Sequence, residues 1–235
     1  FHEYSSNHDD LVNISVKNHM HGFENEFAHI RKEVSFEKAA SGFMVADPLT
    51  LYDCCPTSDG ASCMILAADH GARELTDDPI WLKVSGARSD HLALHDRHSI
   101  TQMSATQKAV AQAYKSSGVA ATDIDLAEVH DCFTIAELMA TEDLGFANRG
   151  EGGLFARQGR GRRNEGDVAI NPSGGLKSKG HPLGATGTGQ AVEIFKQLKG
   201  TVEAPRQIRD AEIGLTHNVG GSGATCAVHI FGRDR

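Results

Sequence analysis

NPSGGLKSKGHPLGATG, residues 171–187, is the stretch on which the reading of this chain turns. Two glycines follow Asn171, Pro172 and Ser173, and His181 stands between Gly180 and Pro182 in a tight, rigid turn. A Gly-fronted amphipathic stretch over residues 184–198 comes next and predicts a helix. An imidazole in such a turn is held in one orientation and meets helix-terminal N–H groups, whose dipole favours negative charge nearby. Junctions of this kind are where α/β proteins place their reactive groups.

Two further junctions lie either side of it. HDCF, residues 130–133, falls between a predicted strand at 126–130 and a predicted helix at 134–144. HNVGGSG, residues 217–223, falls between predicted strands at 213–217 and 225–231. Farther upstream, residues 104–117 predict a helix with Ala109, Val110, Ala113 and Tyr114 on one face, and Ser104 and Gln107 offer a capping box. Residues 9–20 read as a helix, 34–40 as a strand then a short helix, and 61–68 (ASCMILAA) as a buried strand. An acidic linker over 74–79 separates these from a strand at 80–86. Strands alternating with helices give an α/β class with a layered core.

Composition sets the limits. The 235 residues are 40% hydrophobic, enough to bury a real core. A formal charge of −8 argues against non-specific binding to nucleic acid or to an anionic membrane. No apolar run approaches bilayer length, and no signal peptide is expected. The first residues, Phe1 to Tyr4, are expected to lie within a longer protein. Cys54, Cys55, Cys63, Cys132 and Cys226 form no CxxC pair and suit free thiols in a reducing, cytoplasmic setting. His91, His95 and His98 lack an accompanying Glu motif, so surface histidines are expected there and no metal site.

Cys132, His130, His181 and the glycines after Asn218 together supply a thiol, two imidazoles and backbone donors, the kit for acyl-transfer or enolate chemistry. Cys132, behind an acidic residue at a helix entrance, stands where a thiol pKa can fall. The glycines after Asn218 let N–H groups approach a ligand closely, as an oxyanion hole requires.

The same motifs carry a resemblance. Residues 171–187 look like the signature around the catalytic histidine of thiolases. HDCF stands where ordinary thiolases have an NEAF-type motif, and HNVGGSG where they have Cys-x-Gly. That combination is similar to the sterol carrier protein-type thiolases and their archaeal and bacterial relatives, as are VKNHxHG, MVADPLTLYDC and SDGAS upstream. The resemblance implies a thiolase-like layered α/β fold, a mixed five-stranded sheet with helices. Residues 1–79 would end the N-terminal domain, with part of its loop insertion, and 80–235 would form the C-terminal domain.

It also implies roles. His181 would activate a nucleophilic cysteine and help bind the thioester oxygen, and His130 would help build the first oxyanion hole. Cys132 would be the acid/base, since Asn218 stands at the position of the usual cysteine. The Gly220 N–H would serve the second oxyanion hole. Phe133, Gly184 and Ser173 would contact the substrate or its CoA. The nucleophile itself belongs to a portion preceding this stretch, which would be a required partner. Acyl-CoA thioesters would be substrates, with no resident cofactor. An oligomer is implied, and some relatives are accompanied by an OB-fold/zinc-ribbon partner. Aldolases of steroid side-chain degradation and non-catalytic acyl-CoA-binding subunits share the scaffold and are the competing readings.

Blander roles suit other residues. Cys63 and Cys226, each in an apolar strand, are expected in the core. Asp131 and Glu137 are expected to hold backbone or cap a helix. Gly187, Thr188 and Gly189 lack the third glycine of a dinucleotide fingerprint. The run Arg157, Arg160, Arg162 and Arg163 is read as a solvated loop.

Overall fold

The computed structural model describes residues 1–234. The chain opens with α1 (His8–Phe23) and α2 (Phe36–Ala40), a small hairpin of β1 (Met44–Ala46) and β2 (Leu49–Thr50), and α3 (Asp69–Leu75). Then come β3 (Trp81–Ser89), α4 (Ser104–Ser117), β4 (Leu126–Glu128), α5 (Thr134–Asp143) and α6 (Gly152–Arg157). The remainder is β5 (Ala169–Ile170), α7 (Gly175–Ser178), α8 (Thr186–Lys199), β6 (Ile213–Gly220) and β7 (Thr225–Gly232).

Five strands form one mixed sheet in the order β3-β7-β6-β4-β5. β4 runs parallel to β5 and β6, whereas β7 is antiparallel to both β6 and β3. Parallel strands bring the loops after β4, β5 and β6 to one rim of the sheet, so the three sequence junctions share an edge.

Helices cover both faces. On one, Ala105, Ala109 and Ala113 of α4 are fully buried against Leu215, Val228 and Ile230. The contact is close because it is made of small residues: a Cβ on Gly86 of β3 would lie 2.9 Å from the Ala109 carbonyl oxygen. On the other face, Ile194 and Leu198 of α8 pack with Leu126 and Phe231. Both long helices stop at left-handed glycines, Gly118 (φ 73°) and Gly200 (φ 67°).

Several expectations change. Residues 61–68 form no strand: Ile65 is 86% and Leu66 69% exposed, and among the described residues no strand lies beside them to pair. Cys63 is therefore exposed, not in the core. Residues 34–40 yield only α2, and the expected linker begins inside α3. The capping box at Ser104 is absent. Met103 is the N-cap, and buried Asp143 from α5 does the capping, its Oδ2 accepting the Met103 N–H at 2.8 Å and its Oδ1 the Gln107 amide at 3.0 Å. β5, α6 and α7 are too short for periodicity to show.

Candidate active site

His181 and His130 meet at the rim, their rings edge to face with centroids 5.0 Å apart. The His181 turn is clamped. Gly180 has φ 111°, and a Cβ there would lie 2.6 Å from Ser58 Oγ. The His181 N–H donates to that same Oγ at 3.2 Å. Thr186, at the start of α8, sits 2.7 Å from His181 Nδ1 and donates its single hydroxyl proton to the Pro182 carbonyl at 3.0 Å. Thr186 must therefore accept from His181, which puts the ring proton on Nδ1 and leaves Nε2 as the basic nitrogen.

Burial, reinforced by Lys179, lowers the His181 pKa. His130 is pushed down to about 4 by burial and then by His181, and His217 behind it to about 3 by burial and then by His130. At neutral pH these imidazoles are uncharged.

Cys132 stands one residue before the N-cap Phe133 of α5. Its carbonyl accepts the Cys55 N–H at 3.0 Å, and Cys54 bridges Phe133. The helix entrance does not lower the thiol pKa as the sequence suggested. Burial raises it to about 11, and the Asp131 carboxylate and the Cys55 thiol add to the effect. Cys54 and Cys55 are likewise raised, chiefly by burial. Cys226 is buried as expected, also at about 11.

Under these groups runs a buried polar frame. Asp131 accepts the N–H groups of Leu176 (2.7 Å) and Lys177 (3.2 Å), fixing the first turn of α7. Glu137 takes the Asn171 side-chain amide at 2.8 Å and Lys17 Nζ at 2.9 Å. Both carboxylates are structural, as expected. Burial and the neighbouring Glu137 raise Asp131 to about 7.

Ser173, expected beside the substrate, is fully buried, and its hydroxyl (2.7 Å) and N–H (3.0 Å) both donate to Glu128. Phe133 and Gly184 face outward, Phe133 being 42% exposed and Gly184 having open space where a side chain would stand. Asn218 lies beneath the first turn of α8, donating to Gln190 Oε1 at 3.0 Å, with its side chain 3.7 Å from where a Gly187 Cβ would be. Gly220 lines a depression with Asn218, Ala87 and Arg88. On the other flank of the GHP turn a cleft of about 590 Å³ is lined by Phe27, His29, Ser58, Lys179, Thr186 and Lys196.

Sequence reasoning missed Thr186 and Glu128. A hydroxyl five residues past a histidine, at a helix start, is a signal for the first. Nothing marks Glu128 in an apolar strand. Among the described residues no helix is long and apolar enough to cross a membrane.

The site can be set beside known proteins. Residues 86–233 match the family described as thiolase C-terminal domain-like. An acetyl-CoA acetyltransferase of Methanothermobacter thermautotrophicus is 49% identical over 98% of this chain and 60% of its own length. Sterol carrier protein 2 of Oryctolagus cuniculus is 37% identical over 94% of this chain and 41% of its own. The chain thus spans less than two thirds of the length of each relative. Among solved structures, one named Ltp2-ChsH2(DUF35) aldolase superposes with a TM-score of 0.87 and 25% identity, over all of this chain and 60% of that one. A monomeric SCP2-thiolase-like protein of Mycobacterium smegmatis shares the fold, with a TM-score of 0.70 at 17% identity over 96% of this chain and 46% of that one. The chain belongs to the thiolase family, in its sterol carrier protein-type branch.

Proposed function

We propose that this chain carries the acid–base part of an active site that makes or breaks the carbon–carbon bond of a 3-oxoacyl-CoA. In this reading residues 80–235 form the C-terminal domain. Residues 1–79 close the N-terminal one, and the rest of that domain supplies the nucleophilic cysteine. Support for the nucleophile's lying elsewhere comes from the thiols themselves: Cys54, Cys55, Cys132 and Cys226 are all raised away from the thiolate.

In cleavage, a thiolate adds to the 3-oxo carbon and the carbon–carbon bond breaks, its electrons passing to the acetyl-CoA enolate. The acyl group stays on the nucleophile until CoA takes it. Cys132 rests as the neutral thiol, the form that protonates the enolate carbon; in condensation it returns as the base. His181 Nε2, held basic by Thr186, takes the nucleophile's proton and, once protonated, donates to the thioester oxygen. His130, neutral at its edge, assists that oxygen, and the Gly220 N–H serves the enolate oxygen. Phe133 and Gly184 flank the thioester's approach. CoA thioesters are substrates in this reading. The observation that carries it is the His130–His181 pair on one rim with Cys132.

In the complete protein, Cys132→Ala is expected to slow condensation by about 10²–10⁴-fold, the range for loss of a general acid/base. Acylation by an acyl-CoA should persist, read as an adduct by intact mass. Near-normal turnover would return Cys132 to the core. The 0.87 TM-score to an aldolase favours a second reading, carbon–carbon cleavage without an acyl-enzyme. Absence of any adduct in the wild-type protein would select that alternative. The two-chain name of the same structure supports a further subunit here as well.

A further inference from the structure

The motif VKNHMHG, residues 16–22, has no part in the chemistry above, yet its Lys17, Asn18 and His21 reach the elements that carry it. Lys17 Nζ donates to the Ile170 carbonyl at 2.8 Å and lies 2.9 Å from Glu137 Oε1. His21 Nε2 accepts the Arg163 N–H at 3.3 Å, so Nδ1 holds the proton and donates to the Asn171 carbonyl at 3.0 Å. Gly22 sits so close to the NPSGG turn that a Cβ on Gly174 would lie 2.6 Å from its Cα.

Asn18 is the centre of this brace. It is fully buried, and its Oδ1 accepts Lys17 Nζ at 2.7 Å. Its side-chain amide has two N–H groups. One goes to Asp131 Oδ2 at 2.8 Å, the other to Glu137 Oε2 at 2.7 Å. Two buried carboxylates side by side repel and must each be satisfied. A two-donor group between them, with Lys17 behind it, meets both demands. Asp131 immediately precedes Cys132 and also holds the start of α7, so the place of Asp131 sets the place of the thiol.

We propose that Asn18 is a positioning residue for Cys132, joining Asp131 to Glu137 from α1 and so fixing the thiol against the substrate's α-carbon. The proposal rests on the thiolase reading above. Asn18 meets no substrate, so its effect should fall on one step, the proton transfer at carbon.

The test uses the complete protein with Asn18→Ala, Asn18→Asp and, as a control on the same helix, Asn13→Ala. Two readouts are compared: acyl adduct formation by intact mass, and exchange of acetyl-CoA methyl protons with deuterated solvent. Asn18→Ala should slow exchange at least about ten-fold while acylation and KM stay within about threefold, as expected for displacement of one catalytic group. Asn18→Asp, which adds a third carboxylate, should lose more, and Asn13→Ala nothing. Unchanged exchange, or equal loss of both steps, would overturn the proposal. If Asn18→Ala does not accumulate folded, Asn18→Ser keeps one donor and must show the same split.

If the wild-type protein exchanges no methyl protons, it is the thiolase reading that fails. Alkylation of Cys132 by iodoacetamide then decides the inference. Asn18→Ala should change that rate by at least about threefold, since the half-buried thiol reacts according to its access and its neighbours' charge. An equal rate would overturn the role of Asn18.

Discussion

Residues 61–68 and β7 read alike as short apolar strands, yet they end in opposite states. β7 lies between β3 and β6 with both edges hydrogen-bonded, and its Val228 and Ile230 are fully buried. Residues 61–68 join no sheet among the described residues, and α3 after them buries nothing. A few contacts to the GHP turn and α8 tie the segment down: Ser58 beneath the His181 N–H, the Ser62 hydroxyl donating to the Ala185 carbonyl at 2.8 Å, and Met64 against the Ile194 cluster. Apolarity makes a stretch willing to be a strand. A neighbour with free N–H and C=O groups decides whether it becomes one.

In the proposed reading the sheet rim carries the chemistry, with residues 58–68 an accessory to it. His181→Ala should slow acylation and condensation together in the complete protein, by about 10²–10⁴-fold. Ser58→Ala, which removes one hydrogen bond to the same turn, should cost about 0.5–1.5 kcal/mol, or roughly 2–10-fold. Equal losses in rapid-mix assays of both variants would break the distinction.

Stability gives the next contrast. Leu215→Ala in β6 should destabilise by about 2–5 kcal/mol in a urea titration, because a fully buried leucine leaves a cavity. Leu66→Ala should stay within about 0.5 kcal/mol, as befits an exposed site. A large loss at Leu66 would show the segment to be packed in solution.

The smallest effect is one of pH. His19 and His130 have folded-state pKa values of about 4 and His217 about 3, all lowered first by burial. The unfolded chain therefore binds protons before the folded one does. This contribution is complete above about pH 6.5 and is lost as pH falls toward 4. Asp131, raised to about 7, works the other way over the whole of that range, and Glu128 and Asp143, also raised by burial, act with it. The imidazoles outnumber these carboxyls, His21, His181 and His229 being lowered by burial as well, so the Tm should fall on acidification, and His19→Gln should make the fall shallower. An unchanged slope in that variant would take His19 out of the account.

Much of this was legible because the informative residues are glycines, prolines and helix faces. Gly180-His181-Pro182 announces a rigid turn whatever surrounds it, and the faces of α4 and α8 show in their 3.6-residue period. The frame beneath was not legible. Asn18 and Asp131 are 113 positions apart, and their contact exists only once α1 has docked. The Cys132 thiol shows the same limit: a helix entrance seen in sequence lowers a pKa, but burial, seen only in three dimensions, prevails, and the adjacent Asp131 adds to it. Ser173 looked available beside a reactive turn and is instead consumed by Glu128, a residue that periodicity hides in β4.

The shared direction of β4, β5 and β6 has an evolutionary side. β4 contributes three residues and β5 two, and each hands its chain directly to a loop at the rim. The sheet is held elsewhere, by the long β3, β6 and β7 with α4 and α8 packed on them. Exposed rim positions such as Phe133 and Gly184 can thus be exchanged with little tax on the scaffold, whereas Asp131, tied into the buried frame, cannot. A lineage can keep one chassis while it tries new acids, bases and hydrogen-bond donors at the edge.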